Sequence, residues 1–127
     1  MPERRFLQIA VAAAGLVPVA AGALGTLGPA LLFAGPPQAL THGAYLSGLL
    51  LGLGLAFWFL IPTIERQRHA FALLAALVML GGLARAFTAA RLGAWNLSVE
   101  LPLVMELGVT PALWLWQRRV SSLLRPE

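Results

Sequence analysis

The sequence predicts an all-α integral membrane protein, a four-helix bundle with both termini in the cytoplasm. Of its 127 residues, 59% are hydrophobic and only 11% are charged, and the mean hydropathy is +0.81. A soluble domain usually carries about a quarter charged residues, and roughly 20 apolar residues are enough to cross a bilayer. Between Arg5 and Glu65 the chain has no Asp, Glu, Lys or Arg, which leaves room for two spans and their connection.

Four apolar blocks, separated by charged or Pro-rich connections, define a single transmembrane domain. The first span is predicted over 6–25. Its start has the outline of a signal peptide, with Arg4 and Arg5 before an apolar stretch, but we interpret it as a retained helix. Three further spans are predicted, over 44–61, 70–89 and 102–117.

Prolines and glycines indicate where the spans end and what the connections between them form. The segment 26–43 is apolar but interrupted by both residue types, which favours either an interfacial segment or a re-entrant one. Pro62 ends the second span. Pro102 is expected in the first turn of the fourth span, where its missing N–H costs nothing.

The arginines indicate the topology. In a four-span arrangement one side of the membrane receives Arg4, Arg5, Arg66, Arg68, Arg118, Arg119 and Arg125, and the opposite loops receive only Arg91. Positive residues accumulate on the cytoplasmic side, so both termini and the second connection are predicted there. The charges lie between apolar blocks and not along one solvated face, which argues against a nucleic-acid partner and favours membrane lipids.

Arg85 and Glu106 are the charged residues set most deeply into apolar sequence. The third and fourth spans should form an antiparallel hairpin that turns near Asn96, which places both residues at about the same depth. A charge in a bilayer core is costly, so such residues are usually paired or functional. We therefore predict a direct Arg85–Glu106 ion pair.

Other polar side chains are expected at the same end of the bundle. They are His42 and Tyr45 at the start of the second span, Thr88 one turn beyond Arg85, and Thr110 on a stripe with Glu106, Leu113 and Gln117. Pro111 cannot donate to the Leu107 carbonyl, which predicts a kink just after Glu106. The group is interpreted either as an outward pocket for a small anion, lipid headgroup or proton, or as a clamp between two spans. We favour the clamp because the ion pair is self-sufficient.

Small residues predict close helix packing in the first span, where Ala14, Pro18 and Gly22 recur every fourth residue.

Two further spans also carry small residues that predict close packing. Gly48 and Gly52 form a Gly-xxx-Gly pattern in the second span, and Gly81 and Gly82 lie in the third. The pattern is common in apolar helices, so it predicts tight packing without specifying a partner.

Catalytic residues, metal ligands and cofactor motifs are not indicated. The chain has no cysteine, His42 has no second His or Cys nearby, and no serine has a base at a recognisable spacing. The sequence therefore predicts a protein that is not an enzyme and that uses no cofactor.

The residues AYLSGLLLGLGLAF, GGLARAFTAARLGAW and VMELGVTPALWLWQRR together resemble a bacterial family of four-helix membrane proteins of unknown function, family 4345. The resemblance covers roughly 44–119. It implies a Gly-rich second helix, a Gly-xxx-Arg element ending at Arg85 and a Glu-Leu pair at Glu106. It implies the fold, the topology and a bacterial inner membrane, and no activity.

Three functions compete on these observations. The first is a non-enzymatic accessory subunit of a membrane complex, or a small homo-oligomer. The second is a small transporter or a lipid- or solute-binding protein that uses the Arg85–Glu106 pocket. The third, a membrane enzyme with Glu106 and His42 as acid and base, has the least support.

Overall fold

The computed structural model describes residues 2–124, so Arg125, which contributed to the predicted topology, lies outside the described residues. All regular elements in this part are helical. In chain order they are α1 (Pro2–Leu27), α2 (Pro29–Leu32), α3 (Pro37–Leu60), a 3-10 segment (Ile61–Arg66), α4 (Arg68–Leu92), α5 (Leu97–Val104), a π-helical segment (Met105–Val109) and α6 (Thr110–Leu123).

Four helical stretches are long and apolar enough to cross a membrane. Within the described residues these are Pro2–Leu27, Pro37–Arg66, Arg68–Leu92 and Leu97–Leu123. Each of the four spans predicted from the sequence lies inside one of them. The connection between the first two contains the single helical turn α2, which Pro29 opens at a position where a missing N–H is tolerated.

The fourth long helix begins earlier than the sequence predicts. Asn96 has extended backbone, with φ −157° and ψ 174°, and its carbonyl accepts hydrogen bonds from the N–H groups of Val99 and Glu100 at 3.0 and 2.9 Å. The Asn96 side chain does not cap a backbone N–H; its Oδ1 accepts a hydrogen bond from the Ser98 hydroxyl. The helix starts at Leu97, and Pro102 lies inside it. The expectation that Pro102 occupies the first turn is wrong, because the first intrahelical bonds already form at the Asn96 carbonyl.

The described chain divides into two compact units, one of which is Ile9–Pro62. In this unit glycines of α1 allow α3 to approach closely. A Cβ atom on Gly22 would lie 2.5 Å from the backbone nitrogen of Leu51. Nearer the other end of α1, the indole Nε1 of Trp58 donates to the Ala12 carbonyl at 3.2 Å. The two helices are thus held by close backbone contact and one hydrogen bond.

The second unit combines the first turns of α1 with the chain from Thr63 onward. Its tightest core contains Leu7, Ile64, Phe71 and Val120, each at most 1% exposed. Two ion pairs flank this core. Arg4 Nε lies 2.7 Å from Glu65 Oε2, and Arg119 Nε lies 2.8 Å from Glu3 Oε1.

These contacts bring the N-terminal turns of α1, the 3-10 segment and the C-terminal turns of α6 to one end of the second unit. This end of the second unit therefore carries both ion pairs.

Candidate functional site

The polar centre of the second unit is a two-point ion pair between α4 and the π-helical segment. Arg85 Nε donates to Glu106 Oε2 at 3.2 Å, and Nη2 donates to Oε1 at 3.1 Å. The Glu106 side chain is 16% exposed and that of Arg85 is 42% exposed. The direct pairing expected from the hairpin is therefore formed, with the carboxylate on the inner side and the guanidinium partly open.

Gly82 determines how closely the two helices approach at this point. It is buried, one turn before Arg85 on α4. A Cβ atom at this position would lie 2.8 Å from Glu106 Cβ and 3.1 Å from Leu107 Cδ2. A real Cβ does not tolerate the first of these distances, so the Glu106 backbone can take this position only against a glycine.

The π-helical segment carries Glu106. Its last hydrogen bond runs from the Thr110 N–H to the Met105 carbonyl, five residues back, and the Thr110 hydroxyl donates to the same carbonyl at 2.8 Å. Pro111 follows directly and cannot donate to the Leu107 carbonyl as a regular α-helix requires. The irregularity expected near Pro111 thus takes the form of a widened turn before the proline. Wide turns of this kind are frequent at functional sites.

A shallow groove of about 390 Å³ opens beside the ion pair. Its lining residues come from the end of α4, the following turn and the start of α5: Ala84, Arg85, Thr88, Ala89, Leu92, Ala94 and Val99. Arg85 and Thr88 are the polar members, and the other walls are apolar.

The polar residues predicted with Arg85 and Glu106 are divided by the structure. Thr88 lines the groove. The Thr110 hydroxyl is taken up by its own helix at Met105. His42 and Tyr45 lie in the first three turns of α3, in the other compact unit, and Tyr45 is 65% exposed.

The predicted packing glycines also differ from one another. Gly82 is in close contact with Glu106 and Leu107, and a Cβ atom on Gly48 would make ordinary contact with Thr26 Oγ1 at 3.9 Å. Apart from the adjoining backbone of its own helix, a Cβ atom on Gly52 or Gly81 would meet no described atom within 4 Å. The last two glycines therefore leave open surface on the single chain.

Two buried polar groups of α6 were not singled out from the sequence as site residues. Gln117 is fully buried, and its Nε2 donates to the Ile64 carbonyl at 2.7 Å. The buried atoms Gln117 Oε1 and Trp114 Nε1 have no hydrogen-bond partner among the described residues. A glutamine in an apolar helix is itself a weak signal for such a contact. Among residues 2–124, no group of three or more His, Asp or Glu side chains could hold a metal ion.

Comparison with known proteins identifies a family. The family model described as "Domain of unknown function (DUF4345)" matches residues 6–117, which is nearly the whole chain. This range contains α4, the π-helical segment and both members of the ion pair. The comparisons with curated proteins and with solved structures found no match. The chain therefore belongs to the DUF4345 family.

Proposed function

We propose that this protein is a non-catalytic, multi-pass membrane protein that acts by lateral association, as an accessory subunit of a larger membrane complex or as a small homo-oligomer. The observation that carries this proposal is the open surface at Gly52 on α3 and Gly81 on α4. Both glycines lie inside apolar helices and meet no described atom within 4 Å of an added Cβ atom.

A glycine inside a helix has a cost that packing usually offsets. Relative to alanine it destabilises a helix interior by about 1 kcal/mol. Gly22 and Gly82 offset this cost by admitting a neighbouring helix of the same chain. Gly52 and Gly81 have no such neighbour among the described residues. A helix from a second chain, approaching as small-residue faces allow in membranes, would supply the missing contact.

The proposed location is a bacterial inner membrane with both termini in the cytoplasm. Support comes from the distribution of arginines, since Arg66, Arg68, Arg118 and Arg119 lie at the connection and terminus that meet in the second unit. Positively charged connections are retained on the cytoplasmic side.

The test compares Gly52→Leu and Gly81→Leu with Ala76→Leu, a substitution at an exposed position of α4. The assembly state is measured by native mass spectrometry after extraction from native membranes. We expect the wild type and Ala76→Leu to be recovered as a complex, and at least one glycine variant to be recovered alone. Leucine is the better helix former, so loss of the complex cannot be ascribed to a weakened helix. A wild type that is a lone monomer would rule the proposal out.

A second candidate function is a small transporter or a lipid- or solute-binding protein that uses the groove at Arg85. The specific observation in its favour is that Arg85, within an apolar helix, is 42% exposed beside Thr88. Charged residues within spans usually face the protein interior or a cavity and mark binding sites. Saturable ligand binding at this groove would support the second function. Its absence, together with a stable complex, would leave the first.

A further inference from the structure

We infer that the groove at Arg85 binds the polar end of a neutral amphiphile, whose ester or amide carbonyl accepts hydrogen bonds from Arg85 and Thr88. This inference rests on the second proposed function and names its ligand class. The argument uses the donors left in the groove, the charge already present there, and the apolar walls.

The groove contains donors without acceptors. A guanidinium has five N–H groups, and Glu106 accepts one from Nε and one from Nη2. The Nη1 group of Arg85 and the hydroxyl of Thr88 have no acceptor among residues 2–124. Unpaired donors are costly in an apolar environment, so a ligand that brings an acceptor oxygen is favoured here.

The charge of the site selects against an anion. Glu106 already compensates Arg85, and both of its oxygens are in contact with the guanidinium. A phosphate or carboxylate placed on Nη1 would add a second negative charge beside the Glu106 carboxylate, and like charges at such short range disfavour each other. A carbonyl oxygen accepts the same hydrogen bond without adding charge.

The walls and the position of the groove suit an acyl chain with a small polar end. Five of the seven lining residues are Ala, Leu or Val, and the groove volume of about 390 Å³ lies within the range of small-molecule sites. Arg85 is seven residues before the end of α4 at Leu92, or roughly 10 Å along the helix axis. Arg85 therefore lies deeper in the bilayer than the end of the span. The ester linkage of an amphiphile likewise lies deeper than its outermost polar groups, so it can reach Arg85.

The experiment uses two photoreactive probes with the same diazirine-bearing acyl chain, a monoacylglycerol and the corresponding fatty acid. Purified full-length protein in micelles is irradiated with each probe at pH 8, and labelled peptides are mapped. We expect saturable labelling within 84–99 by the monoacylglycerol, with about a tenfold lower apparent Kd than for the ionised fatty acid.

Two pairs of variants test the assignment. Ala84→Phe fills the groove while Arg85 and Glu106 are both retained, and it should abolish this labelling, whereas Ala90→Phe, at an exposed alanine of α4 outside the lining, should retain it. Thr88→Val should weaken labelling about threefold to tenfold, as expected for one lost hydrogen bond. Thr41→Val is the control, since Thr41 does not line the groove.

Glu106→Gln should reverse the preference towards the fatty acid, because it removes the compensating charge. If the wild type prefers the fatty acid, the ligand class is wrong and the second proposed function stands. If neither probe labels 84–99 saturably, or if Ala84→Phe and Ala90→Phe behave alike, both the inference and that function fail.

Discussion

Replacing either of the adjacent glycines of α4, Gly81 or Gly82, by alanine adds the same methyl group to two different environments. At Gly81 the new Cβ atom would meet no described atom within 4 Å, whereas at Gly82 it would lie 2.8 Å from Glu106 Cβ. Both positions are in the same turn of the same helix, so each variant is the matched control of the other. We predict that Gly82→Ala is less stable than Gly81→Ala.

The expected difference follows from two terms. Both variants gain helix propensity, by up to about 1 kcal/mol. Only Gly82→Ala adds overpacking, which typically costs about 1–3 kcal/mol. The cost is real here because the atom in the way is a Cβ, which cannot move without its backbone. The propensity gain cancels in the comparison, so Gly82→Ala should be less stable than Gly81→Ala by about 1–3 kcal/mol.

The assay is reversible unfolding in mixed micelles with increasing sodium dodecyl sulfate, followed by tryptophan fluorescence. A detergent-denatured state that retains helix lowers the propensity gain of both variants equally, so the difference survives this choice of assay. Equal stability of the two variants, or a more stable Gly82→Ala, would refute the close contact between Gly82 and Glu106.

Three further predictions concern charged and polar contacts. Glu106→Gln should destabilise the protein by about 1–3 kcal/mol in the same assay, between the values for exposed and buried ion pairs. Exchanging the charges of Arg85 and Glu106 should restore part of the lost stability, and no restoration would contradict a structural role for the pair. Glu3→Gln removes the exposed contact to Arg119 and should cost less than about 1 kcal/mol, with the cost vanishing at high salt. Gln117→Leu removes the buried Nε2 group that donates to the Ile64 carbonyl and leaves that carbonyl without its side-chain donor. It should destabilise the protein by about 1–3 kcal/mol in the same assay, and an unchanged stability would count against this contact.

The spans and the ion pair could be predicted from the sequence because the alternatives to each have a large free-energy cost. A run without charges from Arg5 to Glu65 has few alternatives to membrane-like helices. Arg85 and Glu106 lie at similar distances from the turn at Asn96, and an unpaired charge in apolar surroundings is costly. Antiparallel geometry and electrostatics therefore agree on one pairing.

The faces of the glycines could not be predicted in the same way. A Gly-xxx-Gly pattern shows that one face of a helix lacks side chains. Which neighbour packs against that face depends on how the helix is rotated about its axis. Gly52 belongs to the pattern and faces open surface, whereas Gly22, on the close-packing face predicted for the first span, does meet a neighbour, the backbone of Leu51. The rotation is set by all the contacts that the helix makes with its neighbours, and these cannot be read from the local sequence.

The widened turn at Met105–Val109 explains how one helix can make two different polar contacts. In a regular α-helix Glu106 and Gln117 would lie about 20° apart around the axis, on the single stripe expected from the sequence. One extra residue in the turn changes this separation to about 80°. Glu106 can then reach Arg85 over Gly82, while Gln117 reaches the Ile64 carbonyl. A regular helix could satisfy one of these contacts only by turning the other group away. The π-helical segment therefore reconciles the ion pair at one end of the helix with the buried amide at the other, and Pro111, which cannot complete a regular turn, makes that irregularity inexpensive.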